Sequence, residues 1–352
     1  MQVCVTIDVE CREERYAKSL LLPAAGYDLR VFGRFANQRR ELGIAFIMGE
    51  LEAAGIKGTF FVDPFGARSF GLDELSTVCR AIRERGHDLQ LHAHPRQTEA
   101  FWITRMRKPP SDMMADYSVE EQSDILRDGM DLLERCGVPR SEILAFRAGH
   151  FAANNDTWRA MRKNGLLISS SYNPCYFRHG CRIAWPRLEP SLFQTGRGVW
   201  ELPVSNFKEP GSAFRHFQIT AVSLPEMKHL LLQAHQLGLG QVTFVAHPFE
   251  FFHLDSVERR HGRLNLVNTR RFQGICRFLH DHSDLFNVVT VAELAKTLPS
   301  APLQSKGCFP KGTLVLKALR LADQLYKRIE TCFPIDLRLP LIGRWDHRQP
   351  WS

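Results

Sequence analysis

Val3-Cys4-Val5-Thr6-Ile7-Asp8-Val9-Glu10 is an apolar, largely β-branched run that ends in two carboxylates. Such a run suits a strand buried on both faces of a parallel sheet. Successive strand side chains point to opposite faces, so Asp8 and Glu10 share one face and the space beyond it. A second run, Gly86-His87-Asp88-Leu89-Gln90-Leu91, ends the same way in His92-Ala93-His94. Two imidazoles with one or two carboxylates suit zinc or another divalent transition ion. Either pair alone also fits an ordinary hydrogen-bonded core or surface pair; both together at strand ends favour a metal site.

Working outward, strand and helix patterns alternate. Helical apolar spacing covers 37–54, 72–85, 119–136 and 154–164, with Gly55, Gly86 and Gly137 placed to stop the first three. Strand-like runs fall at 57–62, 143–146, 166–170, 200–204 and 241–246. The alternation continues through 222–237, 269–282 and 286–289 to a closing helix over 291–298. About seven or eight strands with helical crossovers predict an α/β fold, a distorted (β/α)7-type barrel with a C-terminal helical extension. In such folds the chemistry sits where strands end, and Asp8, Glu10, His92, His94, Arg147, His150 and His247 all fall there. The long connections 26–35, 95–116 and 172–199 are expected to act as lids or substrate walls.

The expected division is a barrel over 1–298 and a linker with a basic amphipathic extension over 299–352. Its helix, 313–332, carries Leu314, Leu316, Leu319, Leu321 and Leu325 bordered by Lys317, Arg320, Lys327 and Arg328. A helix of this kind can lie peripherally on anionic membrane or pack on its own barrel.

At 352 residues, 44% hydrophobic and 24% charged, the chain has the composition of a globular protein with a full core. Its net charge of +8 is spread without the interleaved basic and aromatic residues of a nucleic-acid module, so nucleic acid is not an expected partner. Nine cysteines without a Cys-x-x-Cys pair read as reduced, mostly buried thiols. With residue 1 taken as the start, no leader precedes the first strand, and no apolar run is long enough to span a bilayer. The expected location is the cytoplasm, or the periphery of the inner membrane face.

A divalent ion makes bound water more acidic and polarises a carbonyl oxygen, so an open site of nitrogen and oxygen ligands suits hydrolysis of an amide or ester. Asp8 would be the base and Glu10 a ligand, with the reverse assignment open. Arg147, ending Ile143-Leu144-Ala145-Phe146, would hold the base ionised, unless it is a solvated surface arginine. His247 closes Val242-Thr243-Phe244-Val245-Ala246 and, as an imidazolium, would protonate the leaving group; a structural histidine is the plainer alternative.

These residues resemble the polysaccharide deacetylases with the NodB homology domain, relatives of carbohydrate esterase family 4. Thr6-Ile7-Asp8-Val9-Glu10 resembles the Thr-x-Asp-Asp strand end, and Gly86 to Pro95 the histidine motif. Phe146-Arg147-Ala148-Gly149-His150-Phe151 is similar to the Arg-x-Pro-x-Gly motif, and Val245-Ala246-His247 to the final Leu-x-His. Gly58-Thr59-Phe60-Phe61-Val62 and Trp200-Glu201-Leu202-Pro203 extend the likeness across 1–298. Here the histidines stand two apart, where many members space them by four, and the metal carboxylate is moved to Glu10.

The resemblance implies a distorted (β/α) barrel, a divalent metal such as zinc on Glu10, His92 and His94, Asp8 as base, Arg147 as its tuner and His247 as acid. The activity implied is removal of N-acetyl groups from an N-acetylated sugar, oligosaccharide or polysaccharide precursor. The alternatives are hydrolysis of another non-peptide C–N bond in a small amide or imide, and a glycan-binding barrel whose metal site has decayed.

Overall fold

The structure is a computed structural model that describes all residues but 13, 14, 18, 19, 23, 99–109, 178, 212, 255–260, 300–306 and 333–352. Parts of the expected 95–116 connection, the 299–310 linker and the C-terminal extension therefore lie outside the described residues.

Nine strands form one curled sheet: β1 (Gln2–Val9), β2 (Thr59–Val62), β3 (Asp88–Ala93), β4 (Ala145–Ala148), β5 (Ile168–Ser169), β6 (Phe193–Gln194), β7 (Trp200–Glu201), β8 (Gln241–Ala246) and β9 (Asn287–Val288). Their order is β8-β1-β2-β3-β4-β5-β7-β6, with β9 pairing the start of β1. Seven of these strands, from β8 to β7, run parallel, and β6 returns antiparallel on β7. Between β7 and β8 the barrel is closed by an irregular seam, in which Ser205 N donates to Thr243 O and Val245 N to Phe217 O. Closure by single bonds rather than a ladder is what distorts the barrel.

The crossovers are α1 (Ile44–Ala53), α2 (Leu72–Glu84), α3 (Val119–Arg135), α4 (Asn155–Lys163), α5 (Leu224–Gln236) and α6 (Leu266–Asp281), and α7 (Val291–Lys296) follows the last strand. Ser118 and Asn154 form capping boxes at the starts of α3 and α4, meeting backbone N–H groups that a helix leaves unpaired. Gly55, Gly86 and Gly137 follow their helices at φ 67°, 73° and 82°, the left-handed turn that glycine adopts without strain.

Strand periodicity sorts the side chains. On β1, Val3, Val5, Ile7 and Val9 enter the main core beneath the helices. Cys4 instead joins Phe61, Ala145, Ile168, Trp200 and Leu202 in a separate interior cluster. Val291 and Leu294 of α7 belong to that cluster and plug the barrel at the strands' N-terminal ends, where Val291 N donates to Thr59 Oγ1 and Ala292 N to Asp88 Oδ2. Above the plug, the inward positions turn from apolar to polar.

Several element boundaries differ from expectation, and two of the shifts have a cause in named contacts. The helix expected from residue 37 begins at Ile44. Gly43 is the reason: a Cβ there would lie 2.0 Å from Val31 O, and Asn37 is tied through its side chain to both backbone groups of Gly262. The strand expected at 143–146 is Ala145–Ala148, because Gln90 Oε1 accepts from both Leu144 N and Ala145 N and takes them out of the ladder.

Candidate active site

The inward positions two apart rise to one rim: Thr6 and Asp8 from β1 with Glu10 just past it, Gln90 and His92 from β3 with His94 just past it, Arg147 from β4, and His247 after β8. His92 and Arg147 are register partners on adjacent strands.

Arg147 is fully buried and spans the interior. Its Nη1 donates to Asp8 Oδ1 at 2.6 Å and to Thr6 Oγ1 at 2.9 Å. Its Nε and Nη2 donate to Ser170 O at 3.1 Å and Ser170 Oγ at 2.9 Å. The guanidinium lies 4.2 Å over the Phe61 ring. A planar donor fork satisfied at this many points holds one position, and so does the carboxylate it grips. The solvated alternative for Arg147 does not apply.

Glu10, His92 and His94 converge, each offering one atom within 4.8 Å of the others. Glu10 Oε2 is 2.6 Å from His94 Nε2 and 3.6 Å from His92 Nε2, while its Oε1 accepts from Arg30 at 2.9 Å. His92 Nδ1 sits 2.8 Å from Arg147 O. A carbonyl only accepts, so Nδ1 carries the proton and Nε2 presents its lone pair to the rim. His94 Nδ1 faces Asp112 Oδ2 at 3.0 Å, and the same oxygen meets His150 Nε2 at 3.0 Å. The other ring nitrogen of both histidines is thus engaged, leaving two Nε2 atoms and one carboxylate oxygen to face each other. This donor set fits a divalent transition ion. His94, Asp112 and His150 form a second such group, but Asp112 there occupies the face of His94 away from Glu10.

Charge follows from packing. Burial works against a charged His94, yet Asp112 and Glu10 on either side outweigh it and hold the ring's pKa well above the ordinary histidine value. Burial likewise opposes ionised Glu10 and Asp112, and neighbouring imidazoles hold both carboxyls well below the usual range. Asp63, after β2, accepts from His94 N at 3.0 Å and Phe65 N at 2.9 Å, and burial raises its pKa to about 6.

His247 Nε2 lies 3.9 Å from Asp8 Oδ2 and its Nδ1 3.3 Å from Glu250 Oε1. Glu250 also accepts from His247 N at 2.8 Å and from Gln218 Nε2 at 2.6 Å. Burial favours the neutral ring, but Glu250, with Asp8 and Glu10 behind it, lifts the pKa of His247 to about 9. The ring is an imidazolium at neutral pH.

The backbone beside the site is unusual. His150 and Phe151 take φ of 54° and 55°, a region that non-glycine residues rarely enter outside functional sites. Gly149 leaves no room for a side chain, since a Cβ would sit 2.6 Å from the His94 ring. Tyr176 stacks on His216, and Phe151 meets both edge-on, forming an aromatic wall along this edge.

All six expected residues, Asp8, Glu10, His92, His94, Arg147 and His247, thus meet at one rim. Asp63, Asp112, Glu250 and Gln218 were missed. Asp63 stands two positions past the inward Phe61, and Asp112 sits in a connection already expected to be functional; these were the available signals.

No family model and no curated protein matches the chain. Among solved structures it is similar to a Mycobacterium smegmatis protein classed with the polysaccharide deacetylases, at 18% identity over 75% of this chain and 81% of that one, TM-score 0.46. It is similar also to a family 4 carbohydrate esterase from Streptomyces lividans in complex with acetate, at 11% identity over 86% and 97%, TM-score 0.40. A 4-alpha-glucanotransferase from Thermococcus litoralis matches at 10% identity over 86% and 41%, TM-score 0.49. The likeness is one of fold. The chemistry rests on this chain's own side chains.

Proposed function

We propose that the protein is a metal-dependent hydrolase that removes N-acetyl groups from an N-acetylated sugar, oligosaccharide or polysaccharide precursor. The observation that carries the reading is the meeting at one rim of a clamped carboxylate, Asp8, a protonated imidazole, His247, and a three-donor set, Glu10, His92 and His94. A divalent ion such as zinc, held by those three donors, would supply Lewis acidity to the amide carbonyl and to water.

The chain's own groups do the proton work. Asp8 takes a proton from water as it attacks the carbonyl carbon, and Arg147 fixes the accepting oxygen by holding its partner at 2.6 Å. His247, charged at neutral pH, gives its proton to the sugar nitrogen as the C–N bond breaks, leaving a free amine and acetate. Glu250 keeps that ring oriented and charged. Phe151, Tyr176 and His216 offer an apolar wall against a sugar ring.

The barrel unit is taken as 1–298. A reducing compartment such as the cytoplasm is part of the same reading, resting on the cysteine spacing in the sequence. Among the described residues, no helix is long and apolar enough to cross a membrane.

The test sets N-acetylhexosamine oligomers beside small cyclic amides, each offered to the zinc-loaded protein. Acetate from the oligomers alone supports the reading. Ring opening of the cyclic amides alone transfers the same machinery to another C–N bond, and stoichiometric metal with neither product makes the barrel a binder.

A further inference from the structure

The C-terminal helix α8 (Leu314–Cys332) is attached to the barrel by its polar side. Arg320 is buried and donates to Glu226 at 2.7 Å and to Glu209, and Asp323 accepts from Arg271 at 2.9 Å. The opposite side is apolar. Leu314, Val315, Leu319, Leu321 and Leu325 are 46–73% exposed, with Ala318 and Ala322 exposed among them. At 100° per residue these seven positions fill an arc of roughly 160°. A surface helix ordinarily buries that arc and presents charge to solvent. Here the orientation is reversed, and the barrel holds the helix so by buried ion pairs.

One border of the arc is basic. On the same wheel Lys317 and Arg328 line the edge beside Leu321, and residues 311–352 carry eight basic against four acidic side chains, with Trp345 and Trp351 among them. An apolar arc with lysine and arginine along one edge is what a helix lying in a bilayer interface needs: the arc enters the headgroup boundary and the cations of that edge meet anionic headgroups, while Asp323 beyond the other edge is paired with Arg271. An antiparallel second copy fits less well, since that pairing of two such arcs brings the two basic edges together.

We propose that the outward face of α8 seats the protein on an anionic bilayer surface. The anchor reaches the site region by few links: Arg271, which holds Asp323, also donates to Ile219 O, and the preceding Gln218 contacts Glu250 beside His247. The seating does not depend on which bond the enzyme cleaves.

Flotation of the full-length protein with vesicles tests this, using phosphatidylcholine alone and phosphatidylcholine mixed with phosphatidylglycerol. The expected result is flotation with the anionic vesicles only, weakened by salt. Leu321→Asp with Leu325→Asp should lower vesicle affinity at least tenfold while the melting temperature and the monomeric mass stay unchanged. Lys317→Gln and Arg328→Gln should each lower it about fivefold. Failure to float overturns the proposal. So does a dimer that the aspartate pair disperses, which would assign the face to a second copy. A lowered melting temperature in the aspartate pair would show the face already covered by the chain's own 333–352, and overturns it too.

Discussion

His247 and Glu250 give the site its expected response to pH. In the acid role proposed for His247 the imidazolium is the competent form, so activity should hold through neutrality and fall as pH rises through about 9. Glu250→Gln removes the largest group sustaining that charge, and the alkaline limb of the kcat/KM profile should move to lower pH with the fold intact. His94 gives the opposite sign for metal loading. Its raised pKa means that a proton on Nε2 competes with the ion, so apparent metal affinity should climb with pH. Calorimetric titration in two buffers of different ionisation enthalpy should count protons released on loading. Asp8, Glu10, His92, His94, Arg147 and His247 were legible because each ends or closely follows an apolar strand and stands in a period of two. Asp63 and Asp112 are lone carboxylates in irregular chain and Glu250 one in a single 3-10 turn, Pro248–Phe251, and only folding brings them to the histidines.

At the scale of elements, the turn from β4 into the Gly149–Phe151 segment decides where His94 can stand. Gly149→Ala would push a methyl into the His94 ring, whose nearest atom would be 2.6 Å away. The expected result is a metal affinity lowered about 10- to 100-fold, with circular dichroism unchanged; an affinity equal to the wild type would show that the ring moves freely. Helices with a glycine stop and an apolar stripe were legible almost to the residue, as in α2 and α3. The starts of α1 and β4 were not, because the contacts of Gly43 and Gln90 come from residues distant in sequence. The short antiparallel pairs Asn206–Lys208 with Phe214–His216 and Phe252–Leu254 with Gly262–Leu264 were also missed. Three residues per strand are too few for a period of two to show.

For the whole molecule, the fold and the site depend on one buried link. Arg147 joins β1, β4 and the residue after β5 through Thr6, Asp8 and Ser170. Arg147→Met would leave Asp8 buried without its cation, and the expected loss of about 3–5 kcal/mol in unfolding free energy is measurable by urea titration. A loss below 1 kcal/mol would mean that the clamp orients Asp8 without supporting the barrel. The parallel barrel was legible from its alternation, whereas the reversed attachment of α8 was not: amphipathic spacing reports an apolar face but not the direction it points. The central claim is that these side chains make a metal-dependent deacetylase, and acetate release from N-acetylhexosamine oligomers by the zinc-loaded protein beside its Asp8→Asn variant tests it most directly. Release by the wild type, with a loss of at least a hundredfold in a variant that still binds stoichiometric metal, is the predicted result. Equal release by both proteins, or none by the metal-loaded wild type, would contradict it.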